Sequence, residues 1–412
     1  MKNFIAHTDI TRQEMLNSIS CSKIEDLFKQ IPAKFSNFDM GNPLSEMEAQ
    51  RKVKALAKKN GTEFISFLGG GVYNKFIPAC VNYIAQRFEF LTAYTPYQPE
   101  ISQGTLQIIY EYQTMISRLT GMDIANASMY DAGSAAAEAI LMAHRIAKGK
   151  KNKALVSNKI NPEYKETIKT YCWAENIDLV WFNDIPENCE EFCCVLFQNP
   201  DYFGEINTFS KPNTTLIILA NLSALSVLEP PRDADIVVGD IQPLGIPMSF
   251  GGPHAGYMAC KEAYMRQMPG RLVGKTLDAD GKTAYTLTIQ TREQHIKREK
   301  ATSNICSNQS LVALSTTLYL SLLGENGFKQ TGIISCNLAH LLSSKLAEKG
   351  IKTINKNFFN EFVIEVENAE VFLNKLKNAG ILGGIKVNDK QILVCTTEMN
   401  TEEDILEYIN AI

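Results

Sequence analysis

The sequence predicts an α/β fold: a large domain built on a mostly parallel sheet, a small C-terminal α/β domain and an N-terminal helical arm. Three observations predict it. Short apolar, β-branched runs recur through the middle of the chain, separated by turns and helical stretches, the pattern of strands buried on both faces. A second, shorter helix–strand alternation follows to the end. The opening stretch carries helical periodicity and no strand-like run. At 412 residues the chain is too long for one ordinary core. The patterns place the arm at 1–65, the large domain at 66–325 and the small domain at 326–412.

In the arm, Thr11-Arg-Gln-Glu14 has capping-box spacing ahead of apolar Met15, Ile19, Ile24, Leu27 and Phe28, which predicts an amphipathic helix. Pro32 and Gly41-Asn-Pro43 end it. A second helix is expected from Ser45 to Lys59, stopped by Asn60-Gly61. In the large domain, Leu106–Leu119 reads as an amphipathic helix with Gly121 as its C-cap, and Ser134 opens an alanine-rich helix that Gly149 closes. Strands are expected at ALVS near 154, IDLVWF near 177, CCVLF near 193, TLIILA near 215, DIVVG near 235, HAGYMAC at 254 and AYTLTIQT at 284. A long helix is expected over 305–323. The small domain, from about 333, reads as helix, EFVIEV strand, helix, QILVCTT strand and a short last helix.

Composition narrows function. A net charge of −4 gives no footprint for nucleic acid, which needs a clustered positive surface. The basic run Lys148, Lys150, Lys151, Lys153 reads as a solvated helix end. No apolar stretch approaches the ~18 residues that span a bilayer, and MKNFIAHTDITRQEM turns polar too soon for a secretory signal. The expectation is a cytoplasmic protein with no membrane partner. The ten cysteines include no C-x-x-C, and Cys193-Cys194 sits in an apolar run, so buried reduced thiols are expected.

Four segments carry chemistry. Asp131-Ala-Gly-Ser-Ala-Ala-Ala-Glu138 places backbone N–H groups at the positive end of a helix, where a phosphate can sit; Ser134 acting only as a cap is the plain alternative. In Ala234-Asp-Ile-Val-Val-Gly-Asp-Ile-Gln-Pro, a strand leads toward the glycine-rich Gly251-Gly-Pro-His-Ala-Gly256. Pyridoxal-phosphate enzymes of the aspartate-aminotransferase type, which share this layout, carry their Schiff-base lysine after such a strand. Here Gln242 holds the place, and no lysine lies between Lys211 and Lys261. An amide cannot form an imine, so no covalently held cofactor is expected on this chain. The loop Tyr94-Thr-Pro-Tyr-Gln-Pro-Glu-Ile-Ser-Gln-Gly104 offers phenols and amides suited to a polar substrate, or packs its tyrosines on the core. Thr291–Asn304 sets Arg292, Lys297, Arg298 and Lys300 near His295, with Thr302, Ser303 and Asn304 just before the expected helix. It suits a carboxylate or phosphate, or forms an exposed turn balanced by Glu293 and Glu299. His295 has no His or Cys at ligand spacing, so no metal is expected.

Together, FEFLTAYTPYQPEISQG, EYQTMISRLTGMDIANASMYD, ADIVVGDIQPLGIPMSFGGPHAGY and TREQHIKREKATSNIC resemble the glycine cleavage P-protein family, in the N-terminal half that some members carry as a separate subunit and others fuse to its partner. The likeness runs from IAHT to LVCTTEMNTEEDI. It implies a fold-type I, pyridoxal-phosphate-dependent transferase-like large domain. It also implies a glycine dehydrogenase (aminomethyl-transferring, decarboxylating) active only in complex with a second, homologous subunit. That subunit carries the pyridoxal phosphate lysine. The complete enzyme decarboxylates glycine and passes the aminomethyl group to the lipoyl arm of the H-protein. On this likeness Tyr94, Tyr97 and Gln98 support the partner's site. In homodimers of this fold a Thr-type residue before the corresponding helix reaches the neighbour's phosphate, a role that falls to Thr302 and Ser303. Arg292, His295 and Arg298 would bind substrate or anion. The sequence departs from the family at Asn221, where an aspartate is usual, and at Lys75, where many relatives have histidine; it is also somewhat short. A purely structural partner subunit, or an independent pyridoxal-phosphate decarboxylase or aminotransferase using another lysine, are the alternatives.

Overall fold

The computed structural model describes residues 7–31, 39–61, 63–305 and 308–412, and the chain forms two compact units, Met1–Thr62 and Glu63–Ile412. In the first unit, α1 spans Asp9–Ser18 and α2 spans Glu46–Ala57. Thr8, not Thr11, caps α1: its hydroxyl accepts the Thr11 N–H at 3.2 Å, which draws Thr11 into the first turn. Met15, Ile19, Ile24, Leu27 and Phe28 keep 43–56% exposure, so the arm's apolar face is not buried by its own unit. Ser45 and Glu48 form a reciprocal capping box on α2, with N–H to oxygen distances of 2.9 and 3.3 Å. Pro32 lies outside the described residues.

The second unit opens with β1 (Ile65–Ser66), α3 (Ala79–Ala85), α4 (Phe88–Leu91) and α5 (Gln103–Thr120). Gly121 ends α5 at φ 68°, the left-handed geometry that a glycine C-cap supplies. Next come β2 (Ile124–Ala125), α6 (Ala132–Ile146), β3 (Lys153–Ser157), α7 (Pro162–Ala174), β4 (Asp178–Phe182), β5 (Cys194–Asn199), β6 (Thr215–Ala220), β7 (Ile236–Asp240) and β8 (Gly256–Cys260). These strands form a seven-stranded sheet in the order β2-β8-β7-β6-β5-β3-β4. β4, β3, β5, β6 and β7 are parallel; at one edge β8 pairs antiparallel with β7, and β2 pairs antiparallel with β8. Successive residues feed opposite cores. Ile218 and Val237 pack on one face with Tyr112 and Tyr319; Ile217, Leu219 and Val238 pack on the other with Ile140 and Ile168. Each such side chain contributes about 1.5–3 kcal/mol by leaving water. Cys193 and Cys194 are buried, and all described cysteines are free.

β9 (Leu272–Leu277) and β10 (Thr283–Thr288) form a hairpin. Only β10 was expected, because Gly274 and Lys275 interrupt the apolar run of β9. α8 (Gln294–Lys297) follows, then α9 (Ser310–Glu348), which departs from helical geometry at Gly324. α9 starts later than the sequence predicted. The described residues 301–305, 308 and 309 before it are non-helical, with Ser303 Oγ accepting the Ile305 N–H at 3.1 Å in a side-chain turn that competes with the helix. The chain ends with β11 (Lys352–Thr353), β12 (Glu361–Glu365), α10 (Ala369–Asn378), β13 (Ile381–Leu382), β14 (Ile385–Asn388), β15 (Gln391–Cys395) and α11 (Glu402–Asn410). Its four-stranded sheet, β11-β12-β15-β14, packs Phe362, Ile364, Ile392 and Val394 on Leu342 and Leu346 of α9. Among the described residues, no helix is long and apolar enough to cross a membrane, and no His/Cys/Asp/Glu group is placed to hold a metal.

Candidate functional site

In a doubly wound sheet, ligands sit beyond the carboxyl ends of the strands. Here β5, β6 and β7 deliver Gln198, Asn221 and Asp240 to one small cavity of about 30 Å³, which Gly71, Tyr73, Tyr164 and Pro243 also line. Gln242, two residues past β7, is fully buried. Its amide oxygen accepts the Tyr73 N–H at 2.9 Å, and its amide nitrogen donates to the carbonyls of Tyr73 and Ile246, each at 2.9 Å. The side chain in the lysine position is therefore spent on holding a distant loop.

That loop has a second anchor. Glu361 accepts the Gly70 N–H and the Tyr73 hydroxyl, both at 2.6 Å, and burial raises its carboxyl above the ordinary range. Asn221 accepts the Ser223 N–H at 2.9 Å.

The first turn of α6 is occupied by this chain's own carboxylates. Asp131 caps it, accepting the Ser134 N–H at 2.7 Å, while the Ser134 hydroxyl accepts the Asp131 N–H. The helix thus begins two residues before Ser134, which completes the capping box rather than opening it. The Ala132 N–H bonds to the Asp240 carboxylate, which also accepts the Gln242 N–H at 2.7 Å. Burial pushes the Asp240 carboxyl up to about 7, and the neighbouring Asp131 adds to the rise against these backbone donors. A cavity this small, with carboxylates at the helix start and no amine, does not fit pyridoxal phosphate.

A second constellation gathers around the proline-rich loop. Pro96 is buried and Gln103 clasps β10, donating to the Tyr285 carbonyl and accepting the Tyr285 N–H, both at 2.9 Å. On this base Tyr94, Tyr97 and Gln98 stand exposed, Tyr94 at 84% and Tyr97 at 47%. The Tyr97 ring meets His295 edge-on at 5.5 Å. Arg271, 4% exposed, donates to the Tyr97 hydroxyl at 3.2 Å. Glu293 lies between Arg271 and His295, 3.6 Å from each.

The other predicted residues fall close in sequence but play different structural parts. Arg292 is buried and donates to the carbonyls of Ile289 and Gly270, so it clasps backbone. The Thr302 N–H bonds to the Arg292 carbonyl at 3.0 Å, joining the two halves of the segment. Ser303 donates to buried Glu138 of α6. Arg298 is exposed at φ 54°. Sequence reasoning missed Arg271 and Asn308. Neither stands in a motif; the one local signal is Pro269-Gly270, whose positive φ of 76° turns the chain into β9.

The family model described as "Glycine cleavage system P-protein" matches residues 2–412. The chain belongs to the glycine cleavage system P-protein family. A relative in Geobacillus thermodenitrificans, named "Probable glycine dehydrogenase (decarboxylating) subunit 1", is 42% identical across 100% of this chain and 98% of its own length. One of the same name in Dictyoglomus turgidum is 45% identical, covering 99% and 98%. A crystal structure of glycine decarboxylase (P-protein) of the glycine cleavage system, in inhibitor-bound form, superimposes with a TM-score of 0.88 at 39% identity over 99% of both chains. The fold extends further: a sphingosine-1-phosphate lyase of Burkholderia pseudomallei superimposes with a TM-score of 0.63 at 12% identity, over 93% of each chain. P-protein membership and this likeness place the chain in the fold-type I, mostly parallel α/β class.

Proposed function

We propose that this chain is the non-lysine-bearing subunit of a two-subunit P-protein, which decarboxylates glycine and transfers the aminomethyl group to the lipoyl arm of the H-protein. The observation that carries the division of labour is Gln242, whose amide is consumed by Tyr73 and Ile246 beside a cavity of about 30 Å³. The family's cofactor then belongs to the second subunit, where it supplies the electron sink for loss of carbon dioxide. This chain's share is the wall facing that site. Tyr94, Tyr97 and Gln98 offer hydrogen-bonding groups on a loop whose prolines limit the entropy lost on binding. The exposed cations, Arg298 and Lys300 among them, raise the local concentration of anions such as the glycine carboxylate. His295 lies against Tyr97 and shares its polar face. Thr302 would donate its hydroxyl to the phosphate of the partner's cofactor. Ser303, predicted for the same role, is held by Glu138 in the free chain and would have to turn outward.

Reducing the purified chain with borohydride in the presence of pyridoxal phosphate, then mapping peptides, is expected to give no stoichiometric pyridoxyl-lysine. One lysine modified at full occupancy would assign the cofactor to this chain instead. Glycine–bicarbonate exchange is expected only when the second subunit is co-purified with it.

A further inference from the structure

The Tyr97 ring rests on a cation that no sequence motif marks. Arg271 is 4% exposed, and its guanidinium carbon lies 5.4 Å from the Tyr97 ring centroid. One arm of the fork donates to the Tyr97 hydroxyl oxygen at 3.2 Å, and the other donates to the Asn308 amide oxygen at 3.4 Å. The remaining nitrogen, Nε, sits 3.6 Å from the Glu293 carboxylate, whose same oxygen is 3.6 Å from His295 Nδ1. One buried side chain thus joins the loop that carries Tyr97, the turn before α8 and the approach to α9. These lie 174 and 37 residues from Arg271 along the chain for its two hydrogen bonds.

The chemistry of the fork matters. Because the Tyr97 oxygen accepts from Arg271, its own proton is the donor left for an outside acceptor. Tyr97 is half exposed while Arg271 is buried, and Arg271 leaves the hydroxyl proton to another acceptor. A lysine has the charge but not the planar fork, and cannot hold the Tyr97 and Asn308 oxygens in that fixed geometry. Burial keeps Arg271 itself from touching glycine. Its effect must pass through Tyr97 and, by way of Glu293, through His295.

We propose that Arg271 is a positioning residue of the P-protein reaction, fixing the Tyr97 hydroxyl as a donor and, through Glu293, the His295 ring beside it. This rests on the reading that the 94–98 loop faces the partner's site, and the experiment separates the two. Tyr97→Phe, Arg271→Lys, Arg271→Gln and the two double variants are reconstituted with the second subunit. Glycine–bicarbonate exchange is measured for kcat and KM, and the melting temperature of each complex is recorded. The expected result is that Tyr97→Phe lowers exchange about 10- to 100-fold. Arg271→Lys should reproduce the same division of the loss between kcat and KM, and its double variant should lie within about twofold of Tyr97→Phe, because both changes remove one interaction, while Arg271→Gln, which also frees Glu293 and His295, should lose more. If Tyr97→Phe retains full exchange, the loop reading falls, and the role of Arg271 falls with it. If Tyr97→Phe is impaired but Arg271→Lys turns over normally, the loop reading stands and the positioning role is overturned. An additive loss in the Tyr97→Phe/Arg271→Lys variant, with a lowered melting temperature, would make Arg271 a structural tie only. Arg271→Lys keeps the charge opposite Glu293, so it carries the test if Arg271→Gln does not fold.

Discussion

Asp240 shows how a single residue can be tied to the fold and to acidity together. Its carboxyl is pushed up to about 7 by burial, so the folded chain favours the neutral form. With the folded value above the unfolded one of 3.8, the stability it contributes is fully present below the unfolded value and is lost as pH rises through about 7. Asp240→Asn should therefore flatten the fall in melting temperature between about pH 4 and about pH 7, and the difference between the two curves should grow across that window and level off above it. Parallel curves would show that Asp240 is ionised throughout. At this scale the sequence revealed chemical type better than partnership. That Gln242 is not an amine is plain from the residue itself. That its amide holds Tyr73 is not, because the partners lie 169 residues apart. Arg271 and Tyr97 were hidden in the same way, by a separation that no local spacing encodes.

At the scale of elements, helix ends are legible within a few residues wherever a capping side chain or a left-handed glycine closes local hydrogen bonds. Ser45 with Glu48, and Gly121 after α5, are of this kind. The start of α9 was misread because Ser303 bonds forward to Ile305 and outward to Glu138, contacts that favour a turn. This changes what Thr302 can do. It stands well ahead of Ser310, so it does not cap α9, and its N–H bond to Arg292 would survive a change of side chain. Thr302→Val should accordingly leave the melting temperature of the subunit nearly unchanged. It should weaken pyridoxal phosphate retention by the reconstituted complex by roughly 1.5–3 kcal/mol, or about 10- to 150-fold in affinity. Cofactor titration of the mutant complex decides it, and unaltered affinity would remove Thr302 from the site.

Over the whole molecule, short continuous apolar runs exposed the parallel sheet, since its inner strands β3, β5, β6 and β7 are buried on both faces. The two-residue strands β1, β2, β11 and β13 were invisible, being too short to carry a pattern. So was the tie between the start of the second unit and its C-terminal sheet. Lys75, one of the departures from the family pattern, is buried and pairs with Glu398 in the loop after β15, while Ser335 of α9 contacts both. With side chains only 2% and 7% exposed, losing one partner strands the other's charge. Glu398→Gln should destabilise the chain by about 3–5 kcal/mol, and Lys75→Met combined with Glu398→Leu by much less, because the pair's desolvation cost disappears with it. Denaturant unfolding of the single and double variants checks the order. A double variant weaker than Glu398→Gln would contradict it.

The small cavity lined by Tyr73 has a consequence for mass action. A protein that binds a ligand only when folded gains stability with ligand concentration, about 2.7 kcal/mol at a hundred times the dissociation constant. Where the chain's own side chains leave only about 30 Å³, too little for the ligand, that dependence vanishes. This subunit should melt at the same temperature with or without added pyridoxal phosphate, while the lysine-bearing subunit should not. In a cell short of the vitamin the two would then differ in lifetime, with this chain persisting as a folded half waiting for its partner.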